Sequence, residues 1–378
     1  MNHLLGTALV GAAALAMANS AAATELRFAS GWPPNSAPTA MVESFAERVE
    51  EISGGDVTMK VYPLSLLNFA EINAGVRDGI ADLAVNITAY FPSEYPNFNM
   101  LNEYSEIVEL DEFAGDRSQL AYAGAMMEYI MLNCADCRAE VEEQNQIYLG
   151  AFASTTYALQ CMTPLETAAD LKGKRIRVAG AYWSRWAEHF GAVPVSMSVN
   201  ETLEGLNQGV VDCNAGNTAD FVNFGIVDIV DHLYLGLPGA LYVAPVTMNK
   251  DSWSALTDDD RADLLRANTR LMADIIWVYI DEAREGRERA LEKGSTYGLA
   301  SDELIEMNRE FVQQDMQAIA SIYRDRFGIQ TGEAAAEKLT ELMRKWTDLT
   351  KGAENAEELA EVYWTEVASK VDVSSYGQ

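Results

Sequence analysis

The stretch that decides the fold runs from Asp170 to Asn217: DLKGKRIRVAG (170–180), GAVPVSMSVNETLEGLNQG (191–209) and VVDCNAGN (210–217). Its first piece alternates, with Ile176 and Val178 apolar between Lys174, Arg175 and Arg177, and Gly180 ends the run, so it predicts a short half-buried strand. Tyr182–Phe190 predicts a helix with Tyr182 and Trp183 in its first turn. The run 192–195 predicts a strand, 201–209 a short helix and 210–213 another strand, whose closing turn offers Asn214 and Asn217 as amide donors. Asn and Gly also suit such a turn for purely local reasons. Arg177 thereby falls at the exit of a strand, where α/β folds set their ligand groups, and a guanidinium presents a planar fork of donors that matches a carboxylate. Position and chemistry alone favour a surface ion pair between Arg177 and one of the many acids, as most arginines are solvated or ion-paired.

Outward from that stretch the pattern repeats. LRFA (26–29) reads as a strand and the Pro-rich loop after it carries Trp32. Residues 40–52 place Met41, Phe45, Val49 and Ile52 at helical spacing. VTMKVYP (57–63) is a second strand, and AEINAGVRDGIADLAV (70–85) a helix and a third strand, giving a β-α-β-α-β order and a parallel sheet. Tyr90 and Phe91 follow that third strand and are pocket candidates by the strand-end rule, with core packing as the competing account. Residues 111–143 are helical in pattern. QIYLGAFASTTY (146–157) opens a new strand, taken as the crossing into a second lobe. YVAPVTMNKDSW (242–253) reads as a strand returning to the first, and 257–293 as a long helix whose leading TDDDR suits the helix dipole. The expected units are lobe I over 24–148 with a return segment at 240–275, lobe II over 149–239, and bracing and C-terminal helices over 276–378.

A chain of 378 residues, 49% of them hydrophobic, exceeds what one compact core ordinarily serves. Residues 1–23 combine an apolar, alanine-rich run with small residues at the end, an export signal with its cut between Ala23 and Thr24, although no Lys or Arg precedes the run. Against 27 Lys and Arg stand 57 Asp and Glu, a formal charge of -30. Nucleic acid and anionic membranes are therefore excluded as partners, and a small anion must be captured locally against an unfavourable field. The four cysteines, Cys134, Cys137, Cys161 and Cys213, allow three pairings in an oxidising compartment. No phosphate-binding glycine loop and no nucleophile elbow is present, and His3, His189 and His232 are too few and scattered for a metal cluster or a proton-transfer pair. No cofactor, metal or catalytic group is called for.

Four runs together resemble one family: DLKGKRIRV (170–178), WAEHFGAVPV (186–195), LxxLNQGVVD (203–212) and VTMNKDSW (246–253), with the opening LRFASGWPPNSAPTAMVESFAERVEEISGGDV (26–57). They are similar to the solute-binding proteins of tripartite ATP-independent periplasmic (TRAP) transporters, the dicarboxylate-binding type. The likeness covers about residues 25–300, and the tail beyond about Gln330 is longer than usual for the family. The resemblance implies a type II periplasmic-binding-protein fold, two α/β lobes on a hinge with a long bracing helix and extra C-terminal helices. It implies a ligand closed between the lobes, Arg177 holding its carboxylate, and delivery to membrane permease subunits from the periplasm. Within that fold, proximity favours Cys134 with Cys137 and Cys161 with Cys213. The family's turn reads roughly VDGQENP where this chain has VDCNAGN, so the family's pocket asparagine aligns with Gly216, and Asn217 replaces it only if the turn shifts by a residue. A second arginine of sialic-acid-binding members would fall near Tyr157, making this pocket more aromatic. The acidic and tryptophan pair that holds a metal in the 2-oxo-acid and lactate branch has no match. With Trp32, Tyr90, Trp183 and Phe221 as walls, a carboxylate-bearing zwitterion is an alternative ligand. A periplasmic enzyme on a carboxylated substrate and the ligand-presenting subunit of a sensor are the other classes.

Overall fold

The computed structural model describes residues 23–115 and 117–377; the expected export signal, up to Ala22, lies outside them. Eleven strands are formed among the described residues: β1 Thr24–Ser30, β2 Val57–Pro63, β3 Leu83–Val85, β4 Gln146–Ala153, β5 Tyr157–Cys161, β6 Arg175–Val178, β7 Val193–Ser196, β8 Cys213–Asn217, β9 His232–Pro238, β10 Val243–Asn249 and β11 Thr296–Leu299. They make two sheets, ordered β2-β1-β3-β10-β4 and β11-β9-β5-β8-β6-β7. In the first, β1 runs parallel to β2 and β3, as the β-α-β-α-β order requires, and β10 returns antiparallel to both β3 and β4.

Each sheet is the centre of one α/β lobe. Two crossovers join them, 154–156 and 239–242, and they are tied to each other: Ser154 N donates to Tyr242 O at 2.9 Å and Tyr157 N to Ala240 O at 2.9 Å. The sequence pattern put the crossing at 148/149. In fact β4 stays in the first sheet along its whole length, paired with β10 from Gln146 to Ala153, so the chain changes lobe at 154–156. All eight residues of β4 are buried, so its sequence lacks the polar alternation that would mark an exposed face. A second difference is β11. Residues 276–378 read as helices throughout, yet Thr296–Leu299 pairs parallel with β9 and extends the second sheet.

The long helix, Asp258–Lys293, begins on a capping box in which Thr257 and Asp260 exchange bonds, has Asp258, Asp259 and Asp260 in its first turn, and ends at Gly294 with φ 87°. It packs on the helix Ala37–Ile52 and β4 of lobe I and on Asp220–Asn223 of lobe II, so it braces both. Helix Asp302–Phe327 also spans the lobes: Tyr323 donates to Glu103 of lobe I at 2.7 Å, while Asn308 accepts from Trp186 of lobe II at 2.6 Å. The last helices, Gly332–Thr350 and Ala356–Glu366, sit on lobe I, where the Trp346 ring packs against Gly124 and Tyr363 donates to Leu120 O at 2.7 Å. Disulfides join Cys134 to Cys137 and Cys161 to Cys213, the second between directly opposed residues of β5 and β8. Among the described residues no helix is long and apolar enough to cross a membrane.

Candidate functional site

Strand β6 sits between β7 and β8, and its register sets Arg177 opposite Asn214 and Val195. The strand is not half-buried as its alternation suggested. After Arg175, which pairs with Asp212 at 2.7 Å near the surface, Ile176, Arg177 and Val178 are all buried, and Arg177 is only 2% exposed. Its guanidinium points into the seam between the lobes. Nε donates to Met197 O at 2.9 Å, Nη1 to Asn214 Oδ1 and Ala215 O at 3.4 Å each, and Nη2 to the hydroxyl of Tyr90 at 2.9 Å. Every one of these acceptors is neutral, and no carboxylate of the described residues lies within ion-pair reach of Arg177.

Tyr90 belongs to the loop after β3, in lobe I, so its bond to Arg177 crosses the seam. The same hydroxyl accepts from Val199 N of lobe II at 2.9 Å. A second cross-lobe clasp is formed by Asn200, whose Nδ2 donates to Gly31 O at 2.9 Å and whose Oδ1 accepts from Phe69 N at 3.2 Å. The lobes are closed on each other. Between them Ile87, Tyr90, Tyr157, Arg177, Asn214 and Asp220 wall a cavity of about 10 Å³, together with Gly216, Asn217 and Tyr242. That is about the space one water needs, so an organic acid enters by opening the hinge.

Tyr157 and Trp183 stack at 4.1 Å with 18° between their planes. Tyr157 faces the cavity and Trp183 backs it, its indole N–H donating to Gly239 O at 3.2 Å. Behind Trp183 lies a separate void of about 30 Å³ walled by Ala89, Pro92, Asn99 and Tyr323 among others. No cation lines it. A groove of about 600 Å³ runs past Thr155, Arg284, Arg287 and Leu299 and is open to solvent.

Several expected wall residues lie elsewhere. Trp32 is 1% exposed, set edge-on to Phe69 at 5.4 Å, and its indole donates to the hydroxyl of Tyr279 at 3.1 Å, so it packs the core one layer behind the cavity. Phe221 turns the other way, against Gly286 of the long helix, where its ring fills the space a glycine leaves. Phe91 does not reach the cavity wall. Asn217 reaches it but is committed: its Oδ1 accepts from Ala219 N and Asp220 N at 3.1 and 2.8 Å, and its Nδ2 donates to Asp220 at 2.5 Å. Asn214 likewise donates to Gln160 at 2.8 Å and turns its oxygen to Arg177. The structure thus brings together Arg177, Tyr90, Tyr157, Asn214 and Asn217, with Trp183 behind them.

Three contributors escaped the sequence reading. Asp220 is buried at the cavity wall, and burial lifts its carboxyl to about 6. Tyr242 lies on the returning crossover at the entry of β10, not at a strand exit, so the strand-end rule passes over it. Asn200 had no distinguishing signal.

Comparison with known proteins agrees with this geometry. The family model DctP, bacterial extracellular solute-binding protein, family 7, matches residues 28–327. The C4-dicarboxylate-binding periplasmic protein DctP of Rhodobacter capsulatus is 24% identical over 337 residues, 87% of this chain and 96% of its own. A TRAP periplasmic solute-binding protein of Bordetella bronchiseptica, solved with (R)- and (S)-mandelate, superposes with TM-score 0.69 at 26% identity, over 85% of this chain and 99% of that one. A marine metagenome TRAP protein specific for aromatic acids, solved with 3-hydroxybenzoate, gives TM-score 0.73 at 20% identity, over 86% and 99%. The fold is the type II periplasmic binding fold.

Proposed function

The chain belongs to the DctP family, family 7 of the bacterial extracellular solute-binding proteins that serve TRAP transporters, and from that premise we propose that it captures a small organic acid by its carboxylate between the two lobes and passes it unaltered to membrane permease subunits. Arg177 carries this reading. The hydrogen bonds of this buried guanidinium all go to neutral oxygens, with Asp220 facing it only across the cavity, and an anion that closes on it takes up a bidentate, charge-assisted contact.

The acid is held locally because the field of a chain with formal charge -30 repels anions. Ligand that bridges Arg177 of lobe II and Tyr90 of lobe I favours the closed arrangement by its differential contacts, and the permease reads closure. The relatives named for C4-dicarboxylates, mandelate and aromatic acids have a carboxylate in common, which supports the class and leaves the member open.

A thermal-shift panel of small carboxylic acids, each run beside its methyl ester or primary amide, tests the proposal. An acid at a hundred times its Kd stabilises by about 2.7 kcal/mol, and its neutral counterpart should leave Tm unmoved. Equal shifts from acid and ester, or a panel with no shift at all, would sink the carboxylate reading. Recovery of a chemically altered ligand after denaturation would favour an enzyme.

A further inference from the structure

We infer that Asp220 is a second recognition group of the cleft, an acceptor aimed at an N–H or O–H on the ligand, so that the preferred solute is a monocarboxylic acid carrying a hydrogen-bond donor and a dicarboxylate is disfavoured. This rests on Arg177 being the carboxylate clamp. Both side chains wall the same small cavity, so a ligand held by one lies within reach of the other.

The surroundings of Asp220 fix its sense. Oδ2 accepts from Asn217 Nδ2 at 2.5 Å, and Oδ1 accepts from the hydroxyl of Tyr279 at 3.1 Å. Tyr279 in turn accepts from the indole of Trp32 at 3.1 Å, a group that can only donate. Its single proton goes to Asp220, so the hydroxyl of Tyr242, 3.0 Å from that of Tyr279, must donate to it. The whole chain of donors therefore ends on the carboxylate, and Trp32 acts on the cleft by way of Tyr279. A carboxylate has about four lone-pair sites, and these two bonds, with a lesser contact from Asn223, leave capacity for a ligand donor. A second ligand carboxylate would instead meet a like charge in a poorly solvated space.

Calorimetry on matched acids tests this in the full-length mature protein. For every monocarboxylate that binds, its counterpart lacking the donor is measured, mandelate against phenylacetate and lactate against propionate, with succinate run as the dicarboxylate. The donor-bearing monocarboxylate should bind about 10- to 150-fold tighter than its counterpart, the range for a hydrogen bond to a charged group. The advantage should shrink as pH falls through about 6, where Asp220 takes up a proton. The other titratable groups facing Asp220 are Arg177, Tyr157 and Tyr242 across the cavity and Tyr279 and Glu282 on the long helix. In Asp220→Asn, checked for a native circular dichroism spectrum, the advantage should fall below about 10-fold and dicarboxylates should gain. Matched pairs that bind wild type equally, or succinate binding tighter than every monocarboxylate, overturn the role of Asp220 and leave the carboxylate reading standing. Esters that bind as well as acids would remove both. The wild-type comparison decides the matter even if the variant does not fold.

Discussion

Replacing Arg177 by methionine keeps much of the side chain's length and removes its charge, and the structure sets two opposed effects. The variant loses two short bonds, to Met197 O and to the hydroxyl of Tyr90, both 2.9 Å, and two long ones at 3.4 Å. Met197 O is left without its donor at a cost of about 1 to 3 kcal/mol, while the hydroxyl of Tyr90 keeps the bond from Val199 N. Against that, the desolvation penalty of a buried cation, several kcal/mol, is gone, less what its attraction to Asp220 across the cavity returned. The two nearly cancel, so the ligand-free protein should change stability by no more than about 2 kcal/mol in either direction. Binding has no such compensation. Loss of a buried charge-assisted contact costs about 2 to 5 kcal/mol, which at 1.36 kcal/mol per decade is a loss of roughly 30- to 5,000-fold in affinity. Urea unfolding without ligand measures the first quantity and titration calorimetry the second. Arg177→Lys, which keeps charge without the planar fork, should fall between. Affinity within about threefold of wild type would refute the reasoning, as threefold is less than 1 kcal/mol on that same scale. A stability loss as large as the affinity loss would show that Arg177 is structural.

Tyr90→Phe removes one hydroxyl that accepts from two lobe II donors, Arg177 and Val199 N, so ligand affinity should drop while each lobe stays folded; small-angle scattering should find the ligand-free ensemble more open. Replacing both Cys161 and Cys213 by alanine opens a loop spanning 52 positions and should destabilise by about 4 kcal/mol on the chain-entropy account, whereas the pair Cys134 and Cys137, three apart, should contribute about 2 kcal/mol; denaturant midpoints compare them. Glu282 is buried on the long helix and desolvation raises its carboxyl to about 8. Such a raised pKa stabilises the fold at low pH, and the benefit is lost as pH rises through it. Glu282→Gln should therefore raise Tm at pH 8.5 relative to wild type and change it little at pH 4; a shift of equal size at both would refute the assignment.

How much of this was readable beforehand depended on the physical source of each feature. Strand β6 and the placement of Arg177 at its exit follow from alternation and a terminal glycine, which are local signals. The bracing helix announces itself by its capping residues Thr257 and Asp260 and by Gly294. The crossing at 154–156 does not, because β4 is buried on both faces and its apolar run says nothing of which sheet it joins. Nor does β11, a four-residue strand created by pairing with β9, about sixty residues away in sequence. Trp32 and Phe221 have the composition of pocket walls, but large aromatic rings are buried by packing wherever a neighbour leaves room, here against Phe69 and Gly286. Asp220 was hidden among 57 acids, since only the fold reveals which of them faces a cation. The turn 213–217 illustrates the same limit: Asn217 and Gly216 both reach the cavity, but Asn217 spends its hydrogen bonds holding Asp220 in place.

The most direct test is a crystal structure of the protein with the acid that co-purifies with it or the tightest binder from the panel. The predicted result is a closed cleft with a ligand carboxylate paired through both oxygens to the guanidinium of Arg177, within hydrogen-bonding distance. Electron density for the ligand outside that seam, or a ligand whose carboxylate faces away from Arg177, would contradict the account.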